Sequence, residues 1–375
     1  MKTRDKYSYF IKNKNYINAM GLMSGTSLDG LDIALINTNA KNNFELKQFC
    51  TYEYSKSLKK SIINFINNRE KIKYINNLIT EFNAKSIKSF IDTYNIKKQD
   101  IDIIGMHGHT IFHSPNEKWT WQLSDGKSVS NLVNIPVISN FRYRDVCLGG
   151  QGAPLVGIWH KALLNSVKDA VFPCVFLNIG GVSNITYLKN KKDIPYSFDI
   201  GIGNGPLDSI MDKHYNIPFD KDGKISLKGS INNTVIKNIL KNNWFKELPP
   251  KSLDKNHFDI FIYSLIEGLS NEDKLATLSK LISSQLRKSL NFFPIKPKRL
   301  YISGGGSKNK AIIKGIKEDF ENILFPLEDN WNSDAMEAQA FAYLASRSFK
   351  GFSYTWNKIT GVRNESSGGL IDFPS

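Results

Sequence analysis

Apolar and polar positions along the chain follow two periods. Apolar runs of strand length occur at Asn18–Met23, Leu31–Ile36, Ile101–Gly105, Cys174–Ile179, Asn184–Leu188 and Leu300–Ser303. Between them the spacing becomes helical. Within residues 57–95, Ile75, Leu78, Ile79 and Phe82, then Ile87, Phe90, Ile91 and Tyr94, recur at i, i+3, i+4, i+7. Leu275, Leu278, Ile282, Leu286 and Leu290 predict another helix, with Ser270 and Asp273 at capping-box spacing ahead of it. Ala335–Ala345 predicts a further helix rich in alanine. Strands alternating with helices predict an α/β chain.

The first two apolar runs flank the turn Ser24–Gly30, which predicts a β-hairpin with a glycine- and hydroxyl-rich tip. The runs at 174–179 and 184–188 flank Gly180–Gly181 and repeat the shape about 155 residues later (Gly25 and Gly180), without repeated sequence. A chain of 375 residues exceeds what one core organises, so two domains are expected. The texture changes near Pro136, and the polar, glycine-rich stretch Asn140–Leu155 marks the expected crossing. The predicted domains are residues 1–137 plus 346–375, and residues 138–345.

Apolar residues at 41% and charged residues at 23% exclude disordered and collagen-like chains. The formal charge of +15 raises nucleic acid or anionic membrane as a partner. Only eight of the 50 basic residues are arginine, the better fork for phosphates, and the lysines are spread through every segment. No nucleic-acid partner is therefore expected. Three cysteines without CxxC spacing give no disulfide framework and no zinc motif. No apolar stretch reaches the ~18 to 20 residues of a membrane span, and Met1–Phe10 has no apolar core like that of a signal peptide. A reduced, soluble, cytoplasmic protein that binds no membrane is the expectation.

Backbone N–H groups, hydroxyls and a nearby carboxylate suit a polyphosphate and its metal. The segment Gly25, Thr26, Ser27, Leu28, Asp29, Gly30, Leu31, Asp32 offers all three on one tip. Asn178–Asn184 offers a second tip around Gly180 and Gly181, and Gly304, Gly305 and Gly306 follow another strand. Each alone is also what an ordinary tight turn requires. None fits GxxxxGK[ST]. The Gly201–Gly205 run lacks a clear helix pattern and a following acid, so it is not read as a dinucleotide fingerprint. His107, His109 and His113 either chelate zinc or sit on a polar turn bonded to backbone. Asp145, between Arg142 and Arg144 and a glycine-rich loop, is either a general base or half of a structural ion pair.

Several motifs now align with one family. GLMSGTSLDGLDIAL (Gly21–Leu35) and NFRYRDVCLGGQGAPL (Asn140–Leu155) resemble segments of the anhydro-N-acetylmuramic acid kinases. HGHTIFH, FLNIGGVSNIT, FDIGIGN, YISGGGSKN, EAQAFAYLASR and TGVRN follow in that family's order, so the resemblance spans roughly residues 20 to 370. It implies a two-domain actin-like ATPase fold, each domain a mixed β-sheet flanked by helices, with an interdomain nucleotide cleft. It also implies ATP and Mg²⁺ as cofactors and 1,6-anhydro-N-acetylmuramic acid as substrate in cell-wall recycling. By the same resemblance Asp145 is the base. Asp29 and Asp32 hold magnesium through waters, and Arg142, Gln122 and Glu337 contact the sugar. A homodimer is left open.

The chain departs from the family pattern in three places. His109 stands where most members have Gln, Ile200 and Ile202 replace Thr and Pro, and Leu253–Asn256 replaces a TGRE segment. The alternative carried forward is a non-catalytic or divergent ATP-binding protein or sugar kinase of the same fold.

Overall fold

A computed structural model describes residues 13–25, 30–68, 71–123, 125–253, 255–293, 295–327 and 331–375. The chain divides into two compact units, each built on its own mixed sheet. The first is drawn from Met1–Ser166, Ala335–Asn357 and Val362–Ser375, the second from Val167–Asp334 and Lys358–Gly361.

The first unit holds a six-stranded sheet made of β1 (Ile17–Met23), β2 (Gly30–Thr38), β3 (Phe44–Glu53), β4 (Ile103–Met106), β7 (Val137–Ser139) and β12 (Leu370–Asp372), in the order β12-β7-β4-β1-β2-β3. β1, β2 and β3 form an antiparallel meander, and β4 and β7 add in parallel beside β1. The hairpin β5 (His109–Ser114) and β6 (Trp119–Leu123) stands apart from this sheet. The second unit holds β8 (Cys174–Ile179), β9 (Val182–Leu188), β10 (Tyr196–Ile202) and β11 (Arg299–Ser303), in the order β10-β9-β8-β11. Again a meander comes first and a parallel strand joins its first member. The repeated hairpin of the sequence is thus one part of a repeated sheet plan.

The expected hairpins at β1–β2 and β8–β9 and the expected strand near 300 are present. The helical stretch 57–95 forms as Lys56–Asn68 and Ile72–Thr93. The capped helix forms as Asn271–Leu290, with the Ser270 hydroxyl accepting from Asp273 N at 3.1 Å. Its stripe Leu275, Leu278, Ile282, Leu286 and Leu290 is buried against the second sheet's core. From the same helix, buried Gln285 accepts from Ile202 N (3.1 Å) and donates to Ile202 O (3.0 Å). A side-chain amide thereby satisfies backbone groups of the edge strand β10.

The unit boundaries differ from the expected ones. Residues 138–166 and 335–345 lie in the first unit, and 358–361 in the second. The cause is packing. Trp159, on the helix Gly157–Ser166, is fully buried, with its ring 4.6 Å from Phe44 and 5.2 Å from Tyr343. The glycine-rich stretch after β7 is a loop at a strand end rather than a crossing between domains.

The helix Met336–Phe349 lies directly on the first sheet. Gly21 and Gly105 are register partners on β1 and β4. A Cβ at Gly21 would come closer than 3.0 Å to Ala338 O and Ala342 N, and one at Gly105 equally close to Phe341 O and Ala345 Cβ. Two side-chain-free positions and a row of alanines let helix backbone meet sheet backbone, which explains the alanine-rich composition. Among the described residues, no helix is long and apolar enough to cross a membrane.

Gly105→Ala should lower stability by about 2–3 kcal/mol in chemical denaturation, since the helix has to lift. A loss below about 0.5 kcal/mol would show that the helix is not seated on this backbone. His160, buried beside Trp159, is kept neutral by burial, with its pKa lowered to about 3. The unfolded chain takes up this proton near pH ~6.5 and the folded chain does not, so stability falls as pH drops through that window. His160→Gln should therefore lose about 2 kcal/mol less than wild type between pH 7 and pH 5, as read from urea unfolding. Equal losses would contradict a neutral buried ring.

Candidate functional site

β1, β4 and β7 run parallel, so their carboxyl ends share one side of the first sheet, where open α/β sheets bind ligands. Ser24 and Gly25 follow β1, His107 to His109 follow β4, and Asn140 to Asp145 follow β7. Thr26, Ser27, Leu28 and Asp29 lie outside the described residues. Gly30 pairs with Glu53 and Leu31 with Tyr52 in the β2–β3 ladder. Leu31 is 2% exposed and belongs to the core, so its side chain faces no ligand. Asp32, half-buried opposite Met23, accepts from Thr51 Oγ1 at 2.6 Å.

Asp145 sits on the short helix Tyr143–Cys147 and is 2% exposed. Its Oδ2 accepts from Gly152 N at 2.8 Å, and its backbone carbonyl accepts from Gly150 N at 2.8 Å. The loop wraps the carboxylate so closely that a Cβ at Gly150 would strike it. Arg142 Nη1 donates to Gly152 O at 2.7 Å and its Nε donates to His107 Nε2 at 2.9 Å. One peptide unit, that of Gly152, thus touches the carboxylate through its N–H and the guanidinium through its C=O. Arg144 is exposed. The loop is tied down from behind by Tyr354, a buried phenol donating to Phe141 O at 2.9 Å. Burial first, and Arg142 second, hold the His107 pKa well below its ordinary value. A neutral ring is what allows Nε2 to accept from a cation. The ring packs on Phe341, 4.6 Å away.

The other two histidines have different partners. His109 Nδ1 lies 3.2 Å from Ser24 Oγ, and Tyr54 donates to that same hydroxyl at 2.7 Å. All three residues are buried. Burial lowers the His109 pKa to about 4 and raises that of Tyr54 to about 12. His113 Nδ1 lies 2.9 Å from Thr120 Oγ1, which also accepts from Gln122 Nε2 at 2.8 Å. Gln122 is 4% exposed on β6. The histidine run therefore does not gather on a zinc ion, and the described residues contain no group of three His, Cys, Asp or Glu that could hold a metal. Glu337 is half-buried in the first turn of the helix Met336–Phe349, one turn before Phe341.

In the second unit the glycine clusters converge at the carboxyl ends of β8, β10 and β11. Gly181 O accepts from Gly203 N (3.1 Å) and Gly205 N (3.1 Å), and Gly180 O accepts from Asn204 N (2.7 Å). Gly304 has φ +81°, and a Cβ there would approach Asn178 Oδ1 and Ile179 O to within 3.0 Å. Gly305 is exposed. A helix, Gly205–Tyr215, does follow the GxGxG run, contrary to expectation. The run is still no dinucleotide fingerprint, because β10 is an edge strand antiparallel to β9. Gly203 and Asn204 were missed as members of this cluster, and the signal for them was that same run. Ile200 and Ile202 are buried in the core, as is Leu253, whose N–H donates to Asp199 Oδ2 at 2.9 Å. Asp254 lies outside the described residues.

Residues 17–374 match the model of the family described as anhydro-N-acetylmuramic acid kinase. A protein of that name from Paramagnetospirillum magneticum is 34% identical over 95% of this chain and 99% of its own. One from Zymomonas mobilis is 35% identical, with the same coverage of both chains. With its glycine-rich tips and the buried Asp145 loop in these positions, the chain belongs to the anhydro-N-acetylmuramic acid kinase family.

Proposed function

We propose that this chain converts 1,6-anhydro-N-acetylmuramic acid and ATP to N-acetylmuramic acid 6-phosphate and ADP, in the recycling of cell-wall sugars. Asp145 takes a proton from water. The water oxygen bonds to the anomeric carbon C1 while the C1–O6 bridge breaks. The O6 electron pair attacks the γ-phosphorus, and the bond to the β-phosphate oxygen breaks as ADP leaves. The proton on Asp145 then passes to solvent. The observation that carries this assignment is a buried carboxylate fixed by the Gly152 N–H at the carboxyl end of β7. Arg142, held by His107 and Gly152, offers charge to an anionic sugar, and Gln122 and Glu337 are further sugar contacts.

Gly25–Asp32 in the first unit, and separately Gly180, Gly181, Gly304 and Gly305 in the second, are the candidate phosphate contacts, because glycine lets backbone N–H groups approach an anion closely. Magnesium suits the residues present. One half-buried carboxylate, Asp32, stands at the root of the tip, the described residues offer no three-ligand cage, and magnesium keeps most of its waters and leans on substrate phosphates. Asp32, with Asp29, would hold it through waters, and the ion would neutralise phosphate charge. The partners are small molecules, and a cytoplasmic place of action suits an ATP-dependent enzyme.

Purified protein with Mg·ATP should form ADP only when the anhydro-sugar is present; well-folded protein without such turnover would sink the assignment. Asp145→Asn should lower kcat by about 10²- to 10⁴-fold with ATP affinity and Tm unchanged, and a rate near wild type would remove Asp145 from the role. Gly150→Ala pushes the carboxylate from its seat. It should lower kcat by about 100-fold with KM for ATP within twofold of wild type, whereas an unchanged kcat would show that the seat is not needed.

A further inference from the structure

The chain Tyr54–Ser24–His109 has a direction. Tyr54 is 4% exposed, and Ser24 is the one hydrogen-bond partner it has among the described residues. Reversing the bond would bury a phenol proton without an acceptor, at a cost of about 1–3 kcal/mol. The phenol therefore donates to Ser24 Oγ, which leaves the Ser24 hydroxyl proton available to His109 Nδ1, 3.2 Å away. A ring that accepts at Nδ1 carries its proton on Nε2. Among the described residues Nε2 has no hydrogen-bond partner. The group lies where β1 and β4 end, on the ligand side of the parallel strands and at the root of the tip.

We propose that His109 is a substrate-binding residue whose Nε2–H donates to a substrate oxygen, with Ser24 and Tyr54 as the positioning residues that fix its tautomer. The acceptor is an oxygen of the ATP phosphates or of the anhydro-sugar. The proposal rests on the kinase reading above and adds to it a residue that reading does not use.

The test has a spectroscopic arm and a kinetic arm. Protein labelled with ¹⁵N-histidine is examined by long-range proton–nitrogen NMR at neutral pH, with His109 identified by the signals missing from His109→Gln. The expected form is protonated at Nε2, with that signal moving on addition of Mg·ATP or of 1,6-anhydro-N-acetylmuramic acid. Protonation at Nδ1, or a signal that neither compound moves, overturns the proposal. In the kinetic arm, His109→Leu and Tyr54→Phe should each raise one KM by about tenfold. His109→Gln, which keeps an N–H donor, should stay within about threefold of wild type. A raised KM for ATP alone assigns the acceptor to phosphate, and a raised KM for the sugar alone assigns it to the sugar. Unchanged KM values, or a loss of kcat only, leave the triad a structural role and overturn the proposal. Wild-type protein without turnover contradicts the kinase reading instead, and the NMR arm then decides this proposal by itself.

Discussion

Much of the first unit depends on one close approach, the seating of the helix Met336–Phe349 on the backbone of Gly21 and Gly105. It fixes β1 beside β4, and the ends of those strands carry Ser24, His107 and His109. It also brings Phe341 against the His107 ring. A side chain at either glycine would separate helix from sheet and disturb residues several positions away. The helix comes from near the end of the chain, so the site's foundation is assembled from segments more than 200 residues apart in sequence.

On that base the Asp145 loop is held by neutral groups. The Gly152 peptide serves the carboxylate and the guanidinium at once, and an uncharged His107 accepts from Arg142 Nε–H. Buried polar groups in such a network are costly unless satisfied, so the arrangement favours one geometry over many. The same logic orders Tyr54, Ser24 and His109 at the next strand end. The sequence placed three histidines in one short run, yet each serves a different partner.

The parts legible in the sequence were those with local causes. Apolar runs bounded by glycine gave both hairpins, and a hydroxyl ahead of a leucine stripe gave the capped helix. The strand β3 was not legible. It is an edge strand with no fully buried position and presents no apolar run. The unit boundary differs from the expected one because glycine-rich polar texture marks a loop at a strand end as readily as a linker. Asp145 and Arg142 were legible as candidates from charge pattern and family motif, and Gln122 only as a contact that the family resemblance implied. Their pairing with His107, Gly152 and Thr120 was not, because long-range hydrogen bonding leaves no periodicity. Leu31 entered the tip by sequence adjacency, whereas strand alternation put its side chain into the core.

The central claim is that ring opening by water and phosphoryl transfer are one event on Asp145. The direct measurement is turnover of the anhydro-sugar with Mg·ATP in water enriched in oxygen-18, with products quenched early and examined by mass spectrometry and carbon NMR. The account predicts one labelled oxygen at C1 of the 6-phosphorylated sugar, none in the phosphate, and ADP formed in equal amount. Label in the phosphate, or a phosphorylated sugar with its anhydro bridge intact, would contradict it.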